Sequence, residues 1–406
     1  MYGLLKNAEI SNCRITGKAN AGGIIGYTFM NIQKSTVSDC EITGTIDSGG
    51  IAGFVRSTSY TDENTIKDSI IKGIDRIGGI AGQSDRDVNG NTVLRCTIQG
   101  SGTGVGGAVG QGAAKRAKVK DCLIVGNSTV GGIVGQHDTN SIVIKIGTGI
   151  KDYNGLVDNC KIYGGQKVGG ATGNQAAGGS GAMVVNSEIR GWSIVGGYAG
   201  SLGNGSIQHG YVGNCFISAL TSEIASIYNI TAGSSDNRYQ FGGITGWQGY
   251  QTNTNITYSL VEGCIVGDPK ANRVGGAVGN GRIVQNSIGL ISKNTIVVGN
   301  SDVGGLFGGA DGGGAAFLLK DSYSNSMVWA NDNAGGIIGV LSVGSYTDSN
   351  NKTQYYKIPG TQTAYFTGQI YSSGRAAAYA AVVDGSDENE VLINGVTLAP
   401  GKIQAV

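Results

Sequence analysis

The phrase Gly-Gly-x-x-Gly begins at Gly22, Gly49, Gly78, Gly106, Gly131, Gly169, Gly196, Gly242, Gly275, Gly304 and Gly335, and no other feature limits the folding of this chain as much. The most regular intervals are 25 to 29 residues, and the longer ones hold a standard unit plus an insertion. A unit this short cannot bury its own apolar face, whereas stacked units cover one another. A fixed period of this length therefore argues for a solenoid. Glycine supplies 74 of 406 residues and proline only 3, yet 40% of the chain is hydrophobic. Such a chain is not disordered, so its glycines are positional.

A second element precedes the glycines in forms such as "NCRITG", "DCEITG", "RCTIQG", "DCLIVG" and "NCKIYG". All seven cysteines, Cys13, Cys40, Cys96, Cys122, Cys160, Cys215 and Cys264, share one register in it. Ser69, Ser187, Thr295 and Ser322 stand where cysteine is missing, so only small side chains are admitted. Two residues on come Ile15, Ile42, Ile71, Ile98, Ile124, Ile162, Ile189, Ile217, Val266 and Val297, with Ser324 as the exception. Residues i and i+2 of a strand share a face, so the small residue and the isoleucine point inward together. The residue between them varies as Arg14, Glu41, Thr97, Leu123, Lys161, Glu188 or Phe216 and points outward.

Each repeat thus reads as one coil of a parallel β-solenoid (β-helix), an all-β fold of about 11–12 coils stacked about 4.8 Å apart, with insertion loops and a C-terminal cap. The glycine pair reads as a corner, where glycine reaches positive φ and lets one backbone layer lie against the next. Ile24, Ile51, Ile80, Ile133, Ile244, Leu306 or Ile337 follows the pair on a second short strand. Strict alternation then turns Ile25, Ala52, Ala81, Val109, Val134, Ala199, Val278 and Phe307 toward a mildly apolar outer strip. The cysteines form an interior column. Their odd count, wide spacing and exchange with serine and threonine favour buried free thiols over disulfides or a C-x-x-C zinc site.

The recurring "GGIIG", "GGIAG", "GGIVG" and "GGLFG", each preceded by an "NCxIxG"-like phrase, resemble the GLUG-motif repeat proteins. These occur mainly in bacterial surface and secreted polypeptides, adhesin-like and peptidase-associated ones among them. The likeness covers about Leu4 to Val340. It implies an extracellular β-helical stalk or binding module in which the motif is structural and carries over no catalytic residue. The chain divides accordingly into repeats over 1–340 and a departing stretch over 341–406. Within the latter, Thr367 to Val383 reads as a degenerate final coil, and the rest as a cap over the open end.

Net charge is +1, and short basic runs such as "KRAKVK" at Lys115 to Lys120 read as solvated strand edges, so nucleic acid is not an expected partner. No stretch approaches the roughly 18 apolar residues of a membrane span. The N-terminus lacks the order of a signal peptide. "MYGLLKNAEISNC" begins inside a repeat-like phrase, which suggests a fragment or processed product whose signal has been removed. The expected location is extracellular or at the cell surface.

Catalytic groups are sparse. His137 and His209 form no H-E-x-x-H pair and read as loop residues, so neither a metal nor a cofactor is expected. "SGTGVGG", Ser101 to Gly107, matches a dinucleotide fingerprint by letter but lacks its βαβ context and coincides with a repeat corner. Asp85 and Asp87 flank Arg86 in "QSDRDVNG", which suits a calcium-dependent lyase or a glycosidase only at a defined separation and otherwise a polar turn.

Insertions fall at about His137 to Val157, Ser218 to Gln240 and Gln248 to Val261. In solenoids such insertions map to loops, often on a binding face. These loops and the C-terminal stretch concentrate Tyr153, Tyr228, Tyr239, Trp247, Tyr250, Tyr258, Tyr346, Tyr355 and Tyr356. Their flat apolar faces and polar tips suit stacking on a sugar ring or a partner surface, and equally suit covering the solenoid's sides. The preferred reading is a non-enzymatic, secreted or surface-displayed bacterial adhesin-like module that binds glycan, or a host or neighbouring-cell surface protein, through its insertion loops. Two rivals remain: a carbohydrate-active β-helix enzyme (polysaccharide lyase or glycoside hydrolase) with converging acids, and a purely structural spacer or fibre part.

Overall fold

The structure is a computed structural model that describes residues 3–398 apart from 138–154, 177–178, 204, 232–239, 250–253, 283–286, 313–318, 344, 348, 356–363, 385–390 and 394–395. It is a parallel β-solenoid. In one coil, Ala52–Val55 and Thr61–Asp62 lie on a first face, Thr65–Lys67 on a second, and Ile70–Gly73 with Asp75–Gly78 on a third. Among the described residues the faces grow into sheets of 15, 12 and 20 strands, and the second, with one strand per coil, has twelve members. Register keeps like residues together: Ile42, Ile71, Ile98 and Ile124 stand on successive strands, as do Gly49, Gly78 and Gly106. Ala364–Phe366, Gln369–Ser372, Arg375–Ala377 and Ala380–Asp384 pair with the coil before them. Two antiparallel hairpins depart from the pattern, Ser345–Thr347 with Thr353–Tyr355 and Val391–Ile393 with Val396–Leu398.

The inward isoleucines and valines form one apolar core along the rod, and the column from Ile42 to Val297 is wholly buried. The cysteine register sits at the corner between the second and third faces. The residue before it is left-handed, with φ of 54° at Asp39, 51° at Asp68, 55° at Asp121 and 53° at Asn159. Cys40 Sγ donates to the Ser38 carbonyl at 3.0 Å and accepts the Cys13 N–H at 3.4 Å. Ser69 Oγ does the same with the Lys67 carbonyl at 2.7 Å and the Cys40 N–H at 3.1 Å. The site therefore needs a short side chain that both donates and accepts, which is why serine and threonine replace cysteine there.

All seven thiols are free; Cys13 is exposed and the other six are buried. Contact with the Cys122 sulfur, followed by burial, pushes the Cys96 thiol well above its ordinary range. The expected result of labelling the native protein with a thiol reagent is fast reaction of one thiol, with the rest reacting only on unfolding. Rapid native reaction of several thiols would contradict the column.

Four expectations are corrected. The coil-eleven member of the cysteine register is Ser326, not Ser322, because Ile296 pairs with Met327. Val328, two residues on, is wholly buried, so the exception at Ser324 disappears. Ser322 belongs instead to the corner between the first and second faces, where its Oγ accepts the Leu290 N–H at 3.1 Å. That corner also holds the buried pair Asn64 and Asn91.

Secondly, the glycine pairs are not left-handed. A Cβ on Gly78 would lie 2.1 Å from the Ala81 carbonyl oxygen, and one on Gly79 would lie 2.2 Å from that of Gly107. Close approach of backbones is what demands glycine here, while positive φ falls mostly to Asn, Asp and Arg among the non-glycine residues. Thirdly, the supposed outer strip lies in the core: Ala52, Ala81, Val109, Val134, Ala199, Val278 and Phe307 are all buried, and Ile25 is half-buried. The chain bends at the glycine corner, so two consecutive side chains enter the interior and alternation fails there. The basic run is likewise no edge, since Ala117–Lys120 lies between Thr92–Leu94 and Gly155–Asp158.

Candidate functional site

The outer side of the third face carries the variable residues between the small and branched ones. Leu123, Lys161, Glu188 and Phe216 succeed one another on it, and Val125, Tyr163 and Arg190 run beside them. The insertion that follows Phe216 folds back over this face as helix α1, Ser222–Tyr228. Thr221 caps it, its Oγ1 accepting the Ile224 N–H at 3.3 Å, and Asn229 ends it in the left-handed region at φ 52°. Leu220, Ala225 and Ile230 pack on Val125 and Tyr163, with Trp192 and Tyr228 at the margin. Those outward apolar residues on coils five to seven are what the short helix covers, since seven residues alone do not hold a helix in water.

Beside α1 lies an open groove of about 670 Å³. One bank is the corner column Asp121, Asn159, Asn186 and Asn214; the other holds Leu123, Lys161, Glu188, Arg190 and Phe216. Left-handed φ at the four corner residues sets the bank's shape. Asn159 Nδ2 donates to Asp121 Oδ1 at 2.7 Å, and Asn186 Nδ2 to Asp158 Oδ1 at 3.0 Å. The Asn186 amide, then Lys120 at 3.1 Å, hold the Asp158 carboxyl below the usual range. On the opposite bank the Arg190 guanidinium lies 4.6 Å from the centre of the Phe216 ring. Arg190 also donates to Glu188 and, at 3.1 Å, to the Ala219 carbonyl. Tyr163 donates to the second Glu188 oxygen at 3.0 Å, and burial, then that carboxylate, pushes its hydroxyl above the ordinary range. Both Glu188 oxygens are thus engaged, one by the arginine that lies over the ring and the other by Tyr163. Amides on one bank and a stacked ring and cation on the other can take a ligand with polar edges and apolar faces.

Among the described residues, the expected aromatics do not converge there. Tyr228 lies against the rod, its ring centre 5.9 Å from that of Tyr163. Trp247 is half-buried on the first face, in Thr245–Gln248. Tyr258 is 59% exposed at the corner between the first and second faces and stacks on His209 at 5.5 Å. Tyr346 and Tyr355 are on the antiparallel hairpin. Tyr153, Tyr239, Tyr250 and Tyr356 lie outside the described residues. Asp85 sits in a bulged strand, Ala81–Asn89, rather than a turn, with its carboxylate 3.3 Å from Arg56. His137 ends the strand Val134–His137, and the dinucleotide-like glycines fall around the strand Thr103–Gly106. Among the described residues no group of three or more His, Cys, Asp or Glu is placed to hold a metal ion, and no helix is long and apolar enough to cross a membrane.

The groove residues were not singled out as a site by sequence. Their signal was the run of outward residues Lys161, Glu188 and Phe216 ending at the insertion. Fold and groove together define a parallel β-solenoid with a side cleft lined by residues of four successive coils. No protein-family model, no curated protein and no solved structure matches the chain.

Proposed function

We propose that this chain is a non-enzymatic binding module displayed outside the cell, and that its groove beside α1 takes a glycan. The stack of Arg190 on Phe216, facing the amides of Asn159, Asn186 and Asn214, carries the reading, because it offers an apolar platform and hydrogen-bonding edges at once. Resemblance of the repeat to the GLUG-motif proteins supports an extracellular, adhesin-like setting.

The test is a broad glycan panel probed with the full chain and with Phe216→Ala and Asn186→Ala. At least tenfold weaker binding of one glycan class is expected from each variant, about 1.4 kcal/mol, with unchanged melting. The reading fails if the parent binds no glycan, or if both variants bind as the parent does. Release of reducing ends that stops in Glu188→Gln would replace it with an enzymatic one.

A further inference from the structure

The groove stops at Phe216, but the same outer face runs on for four more coils. Ile265, Ile296 and Met327 continue the Phe216 column strand by strand, and Val298, Trp329 and Tyr371 stand beside them. Ile265, Ile296, Met327, Trp329 and Tyr371 are 38 to 46% exposed. In the preceding coils the equivalent positions Val125 and Tyr163 are covered by α1. Here no described residue plays that part. Single exposed apolar residues are ordinary, but a contiguous strip on one face is a mark of binding.

Ladders of asparagine border the strip on both long edges. On one side Asn325 Nδ2 donates to Asn294 Oδ1 at 3.3 Å. On the other, Asn331 donates to Asn300 and Asn300 to Asn272, each at 3.2 Å. A carboxamide has two donors and two acceptor sites, so each ladder member keeps hydrogen-bonding capacity for a ligand. The outward positions of the strip hold Ile265, Ile296, Met327, Gln369, Gly267, Val298, Trp329 and Tyr371, with no formal charge among them. A charged ligand laid on this strip would lose hydration and gain no counter-charge. Charge complementarity therefore selects an uncharged occupant with apolar faces and hydroxyl-rich edges. Because each coil presents a similar set of groups about 4.8 Å further along, the occupant is a repeating one.

We propose that the outer face from Ile265, where the groove ends, to Tyr371 is a track for one chain of a neutral β-linked polysaccharide lying along the solenoid axis, with its sugar rings on the strip and its hydroxyls on the asparagine ladders. This rests on the glycan-binding reading of the groove and names its ligand class.

The experiment measures binding of the full chain to a soluble cellulose ether and to chitin and cellulose particles, with polygalacturonate and heparin as charged counterparts. Trp329→Ala/Tyr371→Ala alters the strip alone and Phe216→Ala the groove alone; all three residues are surface positions, and melting temperature checks that each variant folds. Neutral polymers are expected to bind and charged ones not to, with tenfold or greater weakening in the strip variant. Loss of binding in Phe216→Ala with none in the strip variant would overturn the track and leave the groove reading standing; no change in either would overturn both. A preference for charged polymers would overturn the track, as would a concentration-dependent dimer that disappears in the strip variant, which would make the strip a contact between two copies of this chain.

Discussion

Gly169→Ala is expected to destabilise the rod by about 4 kcal/mol or more, at the far end of single-residue effects. An added Cβ would lie 2.0 Å from the Thr172 carbonyl oxygen and 2.5 Å from the Gly200 nitrogen. Both obstacles are backbone, one in the same corner and one in the next coil. Overpacking against side chains typically costs about 1–3 kcal/mol because rotamers yield; here two layers must part. Gly203→Ala is the control, since the nearest atom to its Cβ would be 3.9 Å away. That change is expected within about 0.5 kcal/mol of the parent. Urea unfolding of the pair decides it, and equal midpoints would refute the close-approach account of the corner.

Asn64→Leu is the second large effect. Asn64 is wholly buried at the corner between the first and second faces. Its Oδ1 accepts the Ser35 N–H at 2.9 Å, and its Nδ2 donates to the Ile32 carbonyl at 3.0 Å and to Asn91 Oδ1 at 3.1 Å. Leucine would strand the buried Ser35 N–H, worth about 1–3 kcal/mol, and take one of two donors from the Ile32 carbonyl, which keeps its ladder bond, so a loss of about 1–3 kcal/mol is expected. Asn64→Ser should recover part of it. Ser259 in the same register already accepts the Gly210 N–H and donates to the Thr257 carbonyl, both at 3.1 Å. If serine and leucine were equally destabilising, the hydrogen bonds would not be the cause.

The parallel stack was legible because it rests on columns: a side chain that must fit beneath its own equivalent leaves the same letter every 27 residues or so, as at Cys13 and Cys40. The corner was less legible. Alternation places Ala52 and Val109 outside, but the bend after each glycine pair turns two neighbours inward, and a period-2 pattern carries no trace of it. Ser322 was misplaced for a related reason, since two corners of each coil use the same hydroxyl chemistry and nearby serines satisfy either. Helix α1 is too short to announce itself by periodicity; it forms against Val125 and Tyr163, which are far upstream. The groove was hidden most deeply. Asp121, Asn159, Asn186 and Asn214 become one bank only after four coils are laid in register.

That register also sets how the rod meets a pull. Its backbone hydrogen bonds point along the long axis, each joining residues roughly one coil apart, as between Cys13 and Glu41. Tension applied end to end loads a coil's bonds nearly together, and once they give way about 27 residues, some 90 Å of thread, are freed in one step. A molecule anchored at one end and laden at the other would lengthen in discrete jumps rather than snap, each sacrificed coil absorbing work while those beneath it keep their shape.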